Sequence, residues 1–269
     1  MKKLLFTSLL TISMLSACTT NEDEKVNEQD QTQQNDTQEE QQSNENEHAT
    51  TESNGEDTVS SVTQAEALKT IKEQLGTELA VVMPNNLPLT KGNFLTATTN
   101  GTDTQAEILF LESKEYIPVN DVKLKNASAA TPIAKLTVKL FDSVDEANKQ
   151  IAYEDYSKNG GQQVALGYNI NGYQDAGAGS LWTGWNEGRW AIATHTRTDN
   201  PDAGVDLAKQ AVEYLESHTL PIPHENGMVH LDVYESGNLI VWQDGKLVYT
   251  LDSIKDPMKA LAIASAFNQ

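Results

Sequence analysis

The sequence predicts an α+β fold, with antiparallel sheets, helices packed on one face, and successive βββα-like groups. Two observations carry this. Strand-like stretches are separated by the short turn signals Asn100-Gly101, Glu187-Gly188, Ser236-Gly237-Asn238 and Asp244-Gly245, which suit hairpins. Each group of strands is then closed by a stretch with apolar residues at helical spacing.

Residues 1–17 precede the fold and read as a lipoprotein signal peptide. Lys2 and Lys3 head an apolar stretch, interrupted by Thr7, Ser8, Thr11 and Ser13, that ends in Leu15-Ser16-Ala17-Cys18. The stretch falls short of the roughly 20 residues that a spanning helix needs. A thiol directly after small residues is what lipidation requires: Cys18 takes a diacylglyceryl group and cleavage falls between Ala17 and Cys18. The segment resembles the lipobox signals of bacterial lipoproteins. That resemblance implies a lipid-anchored protein on the extracytoplasmic face of the cell membrane, where two acyl chains suffice for stable attachment. Cys18 is also the only cysteine in 269 residues, so no thiol remains for a disulfide, a nucleophile or a soft metal site.

Residues 18–60 read as a solvated tether. From residue 19 onward only Val26, Ala49 and Val59 are apolar, and 13 acidic residues face the single Lys25, a composition that cannot bury a core. A flexible chain of this length spans roughly 35 Å. The body beyond it carries 16 basic and 26 acidic residues. With no basic stripe to neutralise phosphates, nucleic acid is excluded as a partner.

The folded body divides into a main α+β domain, 61–220, and a small βββα subdomain, 221–269, docked on it; Leu220-Pro221-Ile222-Pro223 marks the boundary. A helix opens the main domain, with Thr63 and Glu66 as a capping box and Leu68, Ile71 and Leu75 as its buried stripe. Strands are predicted at 94–99, 105–112 and 133–141, then a helix capped by Ser143 and Glu146 that runs to Asn159-Gly160-Gly161. The second group has strands at 163–175, 180–186 and 189–197 and a helix opened by Asn200-Pro201-Asp202, with Val205, Ala208, Val212 and Leu215 on one face. The third has strands at 229–234, 239–243 and 246–251 and a helix from Asp256-Pro257 to Phe267.

Trp182, Trp185 and Trp190 share one predicted hairpin, and Trp185, Trp190 and Arg189 are the candidate ligand-binding residues. A two-residue Glu187-Gly188 loop sets Trp185 opposite Trp190, with Trp182 on the other side; a three-residue loop sets Trp185 opposite Arg189. Such a pair forms either an aromatic platform for a ligand or a core contact. The glycine-rich Asp175 to Ser180 lies between two strands with no lysine behind it, so it reads as an interstrand loop and not a phosphate cradle. His218, His224 and His230 stand at intervals of six, yet a helix end, a loop and a strand would have to converge for them to hold a metal. His195 alternates with Thr194 and Thr196 and can pair with a carboxylate across the sheet, while nothing in the sequence puts it beside a serine. No catalytic residue, metal site or cofactor is expected.

The segments Gly172-Tyr173-Gln174-Asp175, Trp185 to Trp190, Leu220 to Pro223 and Val241 to Gly245, with Val248-Tyr249 and the closing helix, resemble uncharacterised lipoproteins of Gram-positive bacteria. The resemblance implies a displayed α+β module. The expected function is a non-enzymatic binding or sensing module for a cell-envelope component, small ligand or protein partner. A cell-envelope hydrolase and an accessory subunit of an envelope complex are the alternatives.

Overall fold

A computed structural model describes residues 62–268. The signal peptide, Ala17, Cys18 and the acidic tether lie outside the described residues. The domain is built on one ten-stranded mixed sheet with four helices. In chain order these are α1 (Gln64–Glu73), β1 (Phe94–Gly101), β2 (Gln105–Ser113), β3 (Thr131–Leu140), α2 (Val144–Asn148), β4 (Gln162–Gly167), β5 (Ile170–Gly177), β6 (Ser180–Glu187), β7 (Trp190–Arg197), α3 (Pro201–Leu215), β8 (Gly227–Asp232), β9 (Asn238–Asp244), β10 (Leu247–Ile254) and α4 (Pro257–Ser265). Across the sheet the order is β1-β2-β3-β10-β9-β8-β7-β6-β5-β4.

Local signals act where they stand. The Thr63 and Glu66 capping box is complete, the Thr63 N–H donating to Glu66 Oε2 at 2.8 Å and the Glu66 N–H to Thr63 Oγ1 at 3.3 Å. Asp256 caps α4 by accepting from the N–H groups of Met258 and Lys259. Leu68 and Ile71 of α1, Ala208 and Val212 of α3, and Leu261 and Ile263 of α4 enter one large core with Ile192, Leu136 and Ile240 of the sheet.

The helix after Ser143 ends at Asn148, well short of the predicted Asn159-Gly160-Gly161, and four further expectations are corrected. First, the sheet is mixed: β7 and β8 pair in parallel because α3 carries the chain back across the sheet between them. Second, the helices do not all lie on one face. Ala147 of α2 and the following Ile151 pack on Met228, Val241 and Val248, which alternate with the strand residues of the large core and therefore face the other way.

Third, 163–175 is no single strand. Tyr168 and Asn169 both take positive φ, 50° and 61°, and turn β4 into β5, a hairpin geometry usually supplied by glycine. The second group thus holds four strands. Fourth, Asn100-Gly101 is not a turn, because Gly101 still pairs with Ala106. A side chain there would collide with the backbone oxygens of Leu75 and Gly76, so the glycine lets α1 end directly against β1.

The C-terminal residues, set apart by sequence as a docked subdomain, supply β8, β9 and β10 in the middle of this sheet, between β3 and β7. No helix among the described residues is long and apolar enough to cross a membrane.

Candidate functional site

The candidate site lies on the face of the sheet opposite the large core. Register aligns Asp175 of β5, Trp182 of β6, His195 of β7 and Asp232 of β8 in one transverse row. The next row is Tyr173, Gly184, Ala193 and His230. A third row, at the end of β6 where the chain enters it, holds Gly177, Ser180 and Arg197. All three rows point the same way because every second strand residue shares a face.

Glycine and alanine in the second row leave a floor without bulk, and the segment after α2 roofs it. The Tyr156 ring lies directly on Gly184, where no Cβ would fit. Its backbone N–H donates to Asn186 Oδ1 at 3.0 Å, and Asn186 Nδ2 donates to the Glu154 carbonyl at 2.7 Å. Asn159 in turn donates through Nδ2 to the Glu154 carboxylate. The result is a pocket of 200 Å³ lined by Glu154, Tyr156, Asn159, Gly160, Tyr173, Asp175, Trp182, Gly184 and His230.

Three aromatic rings, two carboxylates and one imidazole therefore converge, with no lysine or arginine in the wall. Burial, with the Glu154 carboxylate nearby, pushes the Tyr156 phenol up to about 12, so it remains a protonated donor. Burial, reinforced by His195, holds His230 below the usual imidazole range. Trp182 stands between the two histidines, its ring centroid 4.7 Å from His195 and 5.0 Å from His230.

Beside the pocket, His195 links a serine to a carboxylate. Its Nδ1 is 2.9 Å from Asp232 Oδ2 and its Nε2 is 3.1 Å from Ser180 Oγ. Asp232 is itself held: Oδ1 accepts from the Tyr234 N–H at 2.6 Å, and its backbone N–H donates to Asn238 Oδ1 at 2.8 Å. Buried Asn238 donates through Nδ2 to the carbonyls of Ile254 at 3.0 Å and Lys255 at 2.6 Å.

The sequence candidates fall elsewhere. The turn residues between β6 and β7 are Gly188 and Arg189, so Glu187 opposes Trp190 and Trp185 opposes Ile192, a register matching neither predicted loop. Trp185 is 1% exposed and Trp190 6%, which leaves no platform. Their indoles serve the fold, Trp185 Nε1 donating to Glu187 Oε1 at 2.7 Å and Trp190 Nε1 to the Pro221 carbonyl at 3.1 Å. Arg189 spends its guanidinium on the carbonyls of Pro223 and His224. Glu187, Arg189 and Trp190 border an open cleft of 410 Å³ with Leu215, Leu220 and Ile222. Burial raises the Glu187 carboxyl above its ordinary value, against the lowering effect of the Trp185 hydrogen bond.

Trp182 does face away from Trp185 and Trp190, and it is the tryptophan that meets the pocket. His218 stacks on Tyr214 at 4.0 Å and His230 lines the pocket; no group of three metal-ligating side chains is assembled among the described residues. The segment from Asp175 to Ser180 is no loose loop: only Ala178 and Gly179, at φ 52° and 84°, leave the strands. That tight turn sets Ser180 at the start of β6. The serine beside His195, which the sequence alone does not indicate, becomes visible only once the strand register is known. No family model, curated protein or solved structure matches this chain.

Proposed function

We propose that the chain is a lipoprotein anchored through Cys18 to the extracytoplasmic face of the cell membrane, and that its domain recognises a cell-envelope component bearing a small organic cation. One observation carries the recognition step. The pocket over Gly184 presents the rings of Tyr156, Tyr173 and Trp182 and the carboxylates of Glu154 and Asp175, with no cationic side chain in its wall. An ammonium over an aromatic face gains about 0.5 to 2 kcal/mol, the larger value when water is excluded. The carboxylates add a charge term that favours a cation over a neutral ligand.

The anchor is supported by Leu15-Ser16-Ala17-Cys18 behind a dilysine head. Mass spectrometry of protein recovered from membranes tests it, a diacylglyceryl adduct on an N-terminal Cys18 being expected and an unmodified thiol overturning it.

Calorimetric titration with choline and with its uncharged isostere 3,3-dimethylbutan-1-ol tests the pocket. Choline should bind about 2- to 30-fold more tightly, and Asp175→Asn should reduce that preference. Equal affinity of the two compounds would overturn the cation reading.

A further inference from the structure

We propose that Ser180, His195 and Asp232 form a nucleophile, its base and an orienting carboxylate that together hydrolyse a small carboxylic ester. Asp232, as a carboxylate, only accepts hydrogen bonds, so the 2.9 Å contact fixes the proton of His195 on Nδ1. The lone pair of Nε2 is thereby aimed at Ser180 Oγ, 3.1 Å away, which is the geometry a general base needs to draw off a hydroxyl proton. The base is not free to rotate, because Asp232 is fastened from its other oxygen by the Tyr234 N–H and from its backbone by Asn238. The side chains of His195 and Asp232 are 19% and 14% exposed, shielded enough to hold their bonds yet open enough to meet a substrate. Ser180 is half-buried and directly follows a two-residue turn, so its hydroxyl stands at the edge of the site.

The group that meets the developing oxyanion is Arg197. It is the direct cross-strand neighbour of Ser180, and such neighbours carry their Cβ atoms about 5 Å apart. Its guanidinium lies 4.8 Å above the Tyr234 ring, and it makes no salt bridge among the described residues. An ester suits this arrangement better than an amide, because its carbonyl is less stabilised by resonance and its alcohol leaves without the nitrogen protonation an amide requires, so less oxyanion stabilisation is needed.

The balanced steps are these. Ser180 Oγ bonds to the ester carbonyl carbon as its proton passes to His195 Nε2, and the carbonyl electron pair moves onto oxygen. Collapse breaks the carbon–oxygen bond to the alcohol, which leaves with the proton from Nε2. Water then attacks the acyl–serine ester, giving a proton to Nε2; collapse expels Ser180 Oγ, which takes that proton back and frees the carboxylic acid.

Trp182 forms a wall shared by the two sites, since its ring contacts His195 and lines the pocket. An ester whose alcohol carries an ammonium group would place that group against Trp182 and Asp175. This choice of substrate, unlike the chemistry at Ser180, rests on the cation reading of the pocket.

The test uses the full chain in detergent with a fluorophosphonate probe, peptide mapping, and hydrolysis of p-nitrophenyl acetate, acetylcholine and 3,3-dimethylbutyl acetate. One phosphonyl adduct on Ser180 is expected. Ser180→Ala should lower hydrolysis of p-nitrophenyl acetate by at least about 100-fold. His195→Gln, which keeps a polar side chain on the sheet, should slow labelling of Ser180 by a similar factor. Absence of the adduct, or an unchanged hydrolysis rate in Ser180→Ala, would overturn the proposal, even if choline still binds. A Ser180 adduct with equal turnover of the charged and uncharged esters would support the nucleophile and overturn the cation preference.

Discussion

Gly184→Ala tests whether the pocket roof is seated as described. A Cβ at this position would lie 2.6 Å from Tyr156 Cγ, whereas carbon atoms in contact need about 3.5 Å. Tyr156 Cδ1 and Cε1 would lie closer still, so the ring must retreat by more than about 0.9 Å, pulling on the hydrogen bonds that tie residues 154 and 156 to Asn186. Overpacking of this size costs about 1 to 3 kcal/mol. Replacing a strand glycine by alanine returns about 0.5 to 1 kcal/mol of backbone entropy. With three ring carbons struck and the ring tethered through Asn186, the cost falls at about 2 to 3 kcal/mol of that range and the clash wins by about 1 to 2.5 kcal/mol. For a domain of this size that lowers the melting temperature by roughly 2 to 10 °C. Thermal unfolding followed by circular dichroism measures it, and a choline titration should show weaker binding in the same variant. A melting temperature at or above that of the parent, with choline affinity unchanged, would mean that Tyr156 does not rest on Gly184.

Two further predictions concern the supports of the fold. Asn238→Ala removes hydrogen bonds to the backbone of Asp232, Ile254 and Lys255, and should cost about 2 to 4 kcal/mol in urea unfolding; a cost below about 1 kcal/mol would deny that the network is closed. Glu187→Gln should change how stability varies with pH. Burial raises the folded Glu187 carboxyl above its unfolded value, so the native state keeps a proton that the unfolded chain has lost, and stability falls as pH rises through that window. Glutamine can still accept from Trp185 and does not titrate. The melting temperature of the variant should gain on the parent as pH rises above the ordinary glutamate range of about 4.3, and parallel curves would refute the assignment.

Local chemistry was legible in the sequence, and the site was not. Thr63 with Glu66 and Asp256 before Pro257 act within one turn, so their side chains alone announce the helix starts. Tyr168 and Asn169 turn the chain, and although Gly167 and Asn169 tolerate positive φ, the tyrosine between them masks the hairpin. The parallel step from β7 to β8 depends on where α3 lands, which no hairpin signal encodes. Whether Trp185 and Trp190 share a side of their hairpin turns on a loop length that the sequence leaves open, and which side is covered is decided by packing. The row from Asp175 to Asp232 joins four strands, so its members become neighbours only through register. Alternation of Ser180 with Trp182, and of His230 with Asp232, was the available clue.

The central position of β8, β9 and β10 has a consequence for the order of assembly. The strands on either side, β3 and β7, are made earlier, and each keeps a bare row of peptide groups until the last fifth of the domain arrives to fill the gap. A nascent or truncated chain ending before residue 227 is thus two partial sheets with sticky inner borders, prone to pair with another molecule. Closure joins segments far apart along the polypeptide, which makes it slow compared with hairpin formation. The final strands act as a keystone, and a holding chaperone is of most use to this protein in the interval before they are set.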